Sequence, residues 1–93
     1  VQLGWLYLDT IALLRKFTTD PARDHLRLTD VRDLGALENL LRREGHRVAG
    51  IMLEAPTNPL GQTPDIAAVA VLARRHGARV VIDPAIASPL NLD

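Results

Sequence analysis

Cysteine is absent from this sequence, and with it go disulfide frameworks, thiolate nucleophiles and cysteine-based metal sites. Lysine occurs once, as Lys16, amid surface-type residues, so a mechanism that needs a lysine imine must find its amine elsewhere. Eleven basic and eleven acidic side chains cancel, which argues against steering to nucleic acid or another polyanion. No apolar run approaches the roughly 20 residues of a membrane span, and the opening VQLGW lacks the basic-then-apolar layout of a signal peptide. Neither nucleic acid nor membrane is therefore expected as a partner. Histidines 25, 46 and 76 show no HxxxH or HExxH spacing, so no metal site is expected. Without GxGxxG or GxxxxGK there is no phosphate cradle of the familiar nucleotide types. An initiator methionine is also missing, and the sequence reads as a segment of a longer protein.

What is present is a chain of 93 residues, 47% hydrophobic, enough for one modest core with incomplete layers around a sheet. Its organising stretch is residues 48–89. An apolar run ends in Glu54, a proline-bracketed turn surrounds Asn58, one well-punctuated helix follows, and a second apolar run ends in Asp83. This is the pattern of a strand–helix–strand crossover with parallel strands. Parallel strands share one carboxyl edge, so Asn58 and Asp83 are expected side by side at the crevice where open α/β sheets bind ligands.

Upstream, residues 1–8 read as the tail of a strand weakened by Gly4. A short helix follows, capped by Asp9 or Thr10 and ending near Phe17. Residues 18–24 form a polar loop around Pro21. Leu26 and Leu28 alternate with polar neighbours, as in a half-buried strand near a sheet edge. Asp33 starts a second helix with Leu34, Leu37 and Leu41 on one face and Gly45 as its end. The third strand spans about 48–53. The third helix takes Thr63 as cap and Pro64 at its first position, buries Ile66, Val69, Ala70 and Ala73, and stops at Gly77. The last strand is 79–82, with Val80, Val81 and Ile82 as core. The order is β-α-β-α-β-α-β.

Asp83 is the sharpest chemical candidate, because a carboxylate fixed at the tip of a buried strand is partly desolvated and suits a cationic ring nitrogen. Equally, an Asp-Pro pair starts turns. Asn58, between Pro56 and Pro59, can present an amide from a stiff loop or bond its own backbone. Glu54 reads as a buried arginine partner or a rim residue. Trp5 and Tyr7 can pack in a core or stack on a planar ligand.

The motif Glu54-Ala55-Pro56-Thr57-Asn58-Pro59 is followed by a helix opening at Asp65-Ile66. That helix runs through Ala73-Arg74-Arg75-His76-Gly77-Ala78 into Val81-Ile82-Asp83 and Ala87-Ser88-Pro89. Together these resemble the Cys/Met-metabolism family of pyridoxal-phosphate enzymes, which includes cystathionine γ-synthase, cystathionine lyases and methionine γ-lyase. Tyr7-Leu8-Asp9-Thr10 resembles that family's Tyr-Gly-x-Thr segment, and residues 31–41 its Asp-x-x-x-Leu-Glu helix. The resemblance implies a three-layer α/β fold with a mostly parallel sheet and flanking helices, part of an aspartate-aminotransferase-like (fold type I) large domain, here as residues 1–93. It implies pyridoxal 5'-phosphate as cofactor, with Asp83 on the pyridine nitrogen and catalytic, Asn58 near the phenolic oxygen and Tyr7 stacked on the ring.

Departures from the family pattern are Leu8 for glycine, Pro84 and Ala85 for the usual Asn and Thr, and Ile86 for an aromatic. The family's imine-forming lysine, its substrate-carboxylate arginine and its main phosphate-binding segments fall outside these residues. The expected activity of the whole protein is γ-synthase-like elimination and replacement on a sulfur amino acid, in a cytoplasmic homotetramer. The piece alone is expected to be inactive. The alternatives are a lyase of the same family, a non-catalytic α/β interaction module, or an unrelated doubly wound domain, against which the missing glycine-rich turn weighs.

Overall fold

The computed structural model describes residues 1–88 and 90. Strands β1 (Gln2–Leu3), β2 (Arg27–Leu28), β3 (Gly50–Glu54) and β4 (Arg79–Asp83) alternate with helices α1 (Leu8–Phe17), α2 (Pro21–Asp24), α3 (Leu34–Glu44) and α4 (Ile66–Arg75). They form one all-parallel sheet in the order β2-β1-β3-β4. The alternating strand is at the edge, as its pattern predicts. Each crossover returns over a helix because parallel neighbours cannot be joined by a tight turn.

Side chains alternate across the strands. One face presents Leu3, Ile51 and Leu53, all fully buried, with Val80 and Ile82 partly so. Leu37, Leu40 and Leu41 of α3 and Val69, Leu72 and Ala73 of α4 complete that core. Each such large side chain contributes roughly 1.5–3 kcal/mol through burial. The other face carries Gln2, Met52 and Val81 in register. There α1 covers little: it has no buried residue, and Leu8 and Phe17 are exposed. Val81, expected in the core, is consequently 51% exposed. Ala70 is half-buried, and Leu72 lies deeper on α4 than the spacing of its apolar residues suggests.

The element ends differ from the sequence expectations in instructive ways. Strand β1 is only two residues long because Gly4, at φ +76°, turns the chain away. Helix α1 starts at Leu8, with Tyr7 rather than Asp9 or Thr10 in the cap position. The polar loop contains the single turn α2, where Asp20 Oδ1 accepts the Ala22 N–H at 3.1 Å and Asp24 Oδ2 accepts the Asp20 N–H at 3.0 Å. Asp33 caps α3 as expected, accepting the Ala36 N–H at 2.9 Å. Gly45 does not stop α3 in a left-handed conformation but opens a 3-10 turn, Gly45–Arg47. It is small because a Cβ there would lie 2.8 Å from Nδ1 of His76.

Asp65, not Thr63, caps α4, through a 2.9 Å bond from the Ala68 N–H, and Pro64 lies buried before the helix. Gly77 closes it at φ +70°, with the Ala78 N–H reaching Ala73 O at 2.9 Å, the pattern of a Schellman end.

Strands β1 and β2 are also joined by side chains. Gln2 Nε2 donates to Gly4 O at 2.9 Å, leaving Gln2 Oε1 to accept from His25 Nε2 at 2.9 Å. Nε2 of the ring thus carries a proton. Burial, then Arg27, the amino terminus and Arg15, hold the His25 pKa below its usual 6.5. Since the native ring takes up its proton only at lower pH than the unfolded one, stability is full above about pH 6.5 and falls as the pH drops through the depressed native value. Urea midpoints measured from pH 8 to pH 5 are expected to decline below about 6.5, and His25→Gln to flatten that decline.

Candidate active site at the carboxyl edge of the sheet

Glu54 and Asp83 are register partners at the last positions of β3 and β4. Both lie at odds with the core side of their strands, on the face that α1 overlies. The Ala55 N–H continues the ladder to Asp83 O at 3.1 Å, so the two tips are locked together. Around them is a cavity of about 280 Å³, whose walls include Tyr7, Glu54, Asn58 and Asp83, with Pro56, Ala85 and Ile86 as apolar lining. Tyr7, Asn58 and Asp83 are therefore brought to one site by three separate segments.

Each side chain is held differently. Asp83 is half-buried, and its Oδ1 accepts the Ala85 N–H at 3.0 Å. The turn-starting role weighed for it is real, and it occupies one oxygen only. Asn58 is exposed, and its side chain makes no hydrogen bond among the described residues. The self-bonding expected of a turn asparagine falls instead to Thr57, which is buried: its N–H donates to Gln62 O at 2.9 Å, its O accepts the Gly61 N–H at 2.7 Å, and its Oγ1 accepts the Gln62 N–H at 3.0 Å. That bracing leaves the amide of Asn58 unspent. Tyr7, at 61% exposure, is not a core residue, nor is Trp5.

Glu54, which its strand-end position marks as structural, also lines the cavity. It is neither paired with arginine nor on a solvated rim: it is buried, and its Oε1 accepts the backbone N–H of Tyr7. The signal was its place at the head of the Glu-Ala-Pro-Thr-Asn-Pro motif. Ser88 is turn chemistry, at φ +66° with its N–H on Pro84 O at 2.8 Å. Pro89, the last residue of the second motif, lies outside the described residues.

A larger cavity, about 440 Å³, opens between α1 and the amino-terminal part of the sheet, walled by Leu14, His25, Val48, Met52 and Val81 among others. It lies under the loosely laid α1, and its polar lining residues include Thr18, His25 and the pair Arg47–Asp24, 3.7 Å apart. The smaller cavity has what a ligand site needs, a few polar groups converging on an apolar wall. An aromatic face, a free amide and a carboxylate with one oxygen uncommitted form a donor set that fits a flat, polar, nitrogen-containing ring. Lys16, in the last turn of α1, sits with Nζ 5.9 Å from the Phe17 ring and is not among the cavity residues. No helix among the described residues is long and apolar enough to cross a membrane.

The chain is similar in sequence to several named enzymes. An L-2-amino-4-chloropent-4-enoate dechlorinase/desaturase of Streptantibioticus cattleyicolor is 40% identical over the whole chain, which covers 18% of that protein. The cystathionine gamma-synthase of Saccharomyces cerevisiae is 30% identical, again over the whole chain and 14% of its own length. The L-methionine gamma-lyase of Pseudomonas putida is 45% identical over 69% of the chain and 15% of its own length. The chain thus spans less than a fifth of these relatives. No solved structure matches it. The model of the Cys/Met metabolism PLP-dependent enzymes matches residues 1–93 without interruption, and it is to that family that the chain belongs.

Proposed function

We propose that the chain is part of the cofactor-binding large domain of a pyridoxal-phosphate enzyme acting at the γ carbon of an α-amino acid, with γ-synthase-like elimination and replacement as its reaction. The supporting observation is the convergence of Tyr7, Asn58 and Asp83 on one cavity at adjoining strand tips. In this reading Asp83 faces the pyridine nitrogen with the oxygen that the Ala85 N–H does not use. Asn58 offers its amide to the ring's phenolic oxygen, and the exposed Tyr7 ring lies on the cofactor's face. When bound, the cofactor supplies an electron-withdrawing ring that stabilises negative charge on the substrate, and a carboxylate at its nitrogen keeps that ring protonated.

The names of the relatives support the substrate class. One is a dechlorinase of a 4-chloro amino acid, one a gamma-lyase, one a gamma-synthase. What they share is chemistry at carbon 4 rather than sulfur as such. Covalent attachment of the cofactor and binding of its phosphate belong to residues outside this chain, in a cytoplasmic homotetramer whose dimers share active sites.

The test is to supply the full-length protein with pyridoxal phosphate and a homoserine ester, with and without cysteine. Thioether formation with cysteine is expected, and release of ammonia and a 2-oxo acid when the thiol is withheld. Turnover restricted to amino acids with a β-carbon leaving group would remove the reading.

A further inference from the structure

The geometry points to Glu54 as a positioning residue that acts through Tyr7, a role that rests on the cofactor reading of the site above. Glu54 is a carboxylate with 7% exposure at the end of a core strand. Burying such a group is costly unless it is bonded. Its partner is a backbone N–H 47 residues away in sequence, that of Tyr7, immediately before the first turn of α1. Tyr7 has no side-chain cap of its own on that turn, and α1 buries nothing against the sheet. The Glu54 contact, next to the buried Leu6, thus ties the start of α1 to β3. Because the Tyr7 ring branches from the same residue, the bond also fixes the ring above the cavity. The carboxylate further suits the positive end of the α1 dipole.

Glu54 also lines the cavity. It stands beside Asp83 in register, yet the two acids have separate duties. Asp83 is anchored by a neighbour two residues on, and Glu54 anchors a distant segment.

The two candidate roles of Glu54, acceptor for Tyr7 or charge acting on bound groups, separate by substitution. Glu54→Gln keeps an oxygen for the Tyr7 N–H, and Glu54→Ala removes it. In the full-length protein without cofactor, Glu54→Ala is expected to speed amide exchange at Tyr7 and the first turn of α1 by about tenfold to a hundredfold, the worth of a bond to a charged acceptor. Glu54→Gln should stay within about fivefold of the parent, the remaining effect being the lost dipole interaction. In cofactor titrations Glu54→Ala should weaken affinity about tenfold, and should add less than twofold in a Tyr7→Ala background, as expected when one residue acts through another.

Parent-like exchange in Glu54→Ala would overturn the strut. Equal losses in Glu54→Gln and Glu54→Ala would overturn it in favour of a direct charge effect. A Tyr7→Ala protein with unchanged cofactor affinity would sink the cofactor reading of Tyr7 instead, a result independent of the exchange measured without cofactor.

Discussion

Asp83→Asn in the full-length enzyme is expected to lower kcat by about a hundredfold to a thousandfold, the loss typical when a charge aimed at the reacting system is removed, while the cofactor stays bound. The substitution isolates charge from architecture. Asparagine retains an oxygen that can accept the Ala85 N–H as Oδ1 of Asp83 does at 3.0 Å, and the Ala55–Asp83 ladder bond uses only backbone. The strand tip should therefore keep its shape. Because the effect is on the chemical step, kcat should fall far more than KM changes. Steady-state kinetics together with the visible absorbance of bound cofactor provide the measurement. An unchanged kcat would take Asp83 out of its assigned role.

Gly4→Ala should be the costliest small change in the fold, at roughly 2–5 kcal/mol. Two penalties combine there. At φ +76° any Cβ is strained, worth about 1–2 kcal/mol, and the added carbon would lie 2.7 Å from Cβ of Val31, an overpacking cost of about 1–3 kcal/mol. Val31 is fully buried in the main core, so it cannot swing aside. Against a domain stability of about 5–15 kcal/mol, the loss should appear as a large drop in the urea midpoint. Pairing Gly4→Ala with Val31→Gly, which removes the Cβ at 2.7 Å, should relieve the collision but not the backbone strain, so the two losses should sum to more than the loss in the double variant. Losses that simply add in the double variant would show that the contact with Val31 is not what matters.

That position explains why the amino-terminal part was the least legible. Gly4 in residues 1–8 signals a weakened strand, but the reason for it is a valine 27 residues later, and no local pattern carries that. The same holds for the start of α1. Asp9 and Thr10 are good caps on local chemistry, whereas the observed beginning at Leu8 follows from the Tyr7 N–H reaching Glu54 across the fold. By contrast, local signals sufficed where the determinant was local. Asp33 caps α3, Gly77 ends α4, and the alternation of Leu26 and Leu28 marks an edge strand. The meeting of Asn58 and Asp83 was legible because it follows from topology: parallel strands joined by one helix must end on the same edge. Thr57 was not, since a threonine between prolines gives no hint that it, and not the asparagine, braces the loop.

The bond from Ala85 to Asp83 bears on how freely this corner can drift in evolution. The donor is a main-chain amide, which nineteen of the twenty amino acids supply equally, so the identity of residue 85 is decoupled from the hold on the acid. Ala85 and Ile86 form part of the cavity wall, and side chains of other sizes there would reshape that wall without loosening the carboxylate. Proline alone is barred at 85, and the cavity can be reshaped around an acid that stays put.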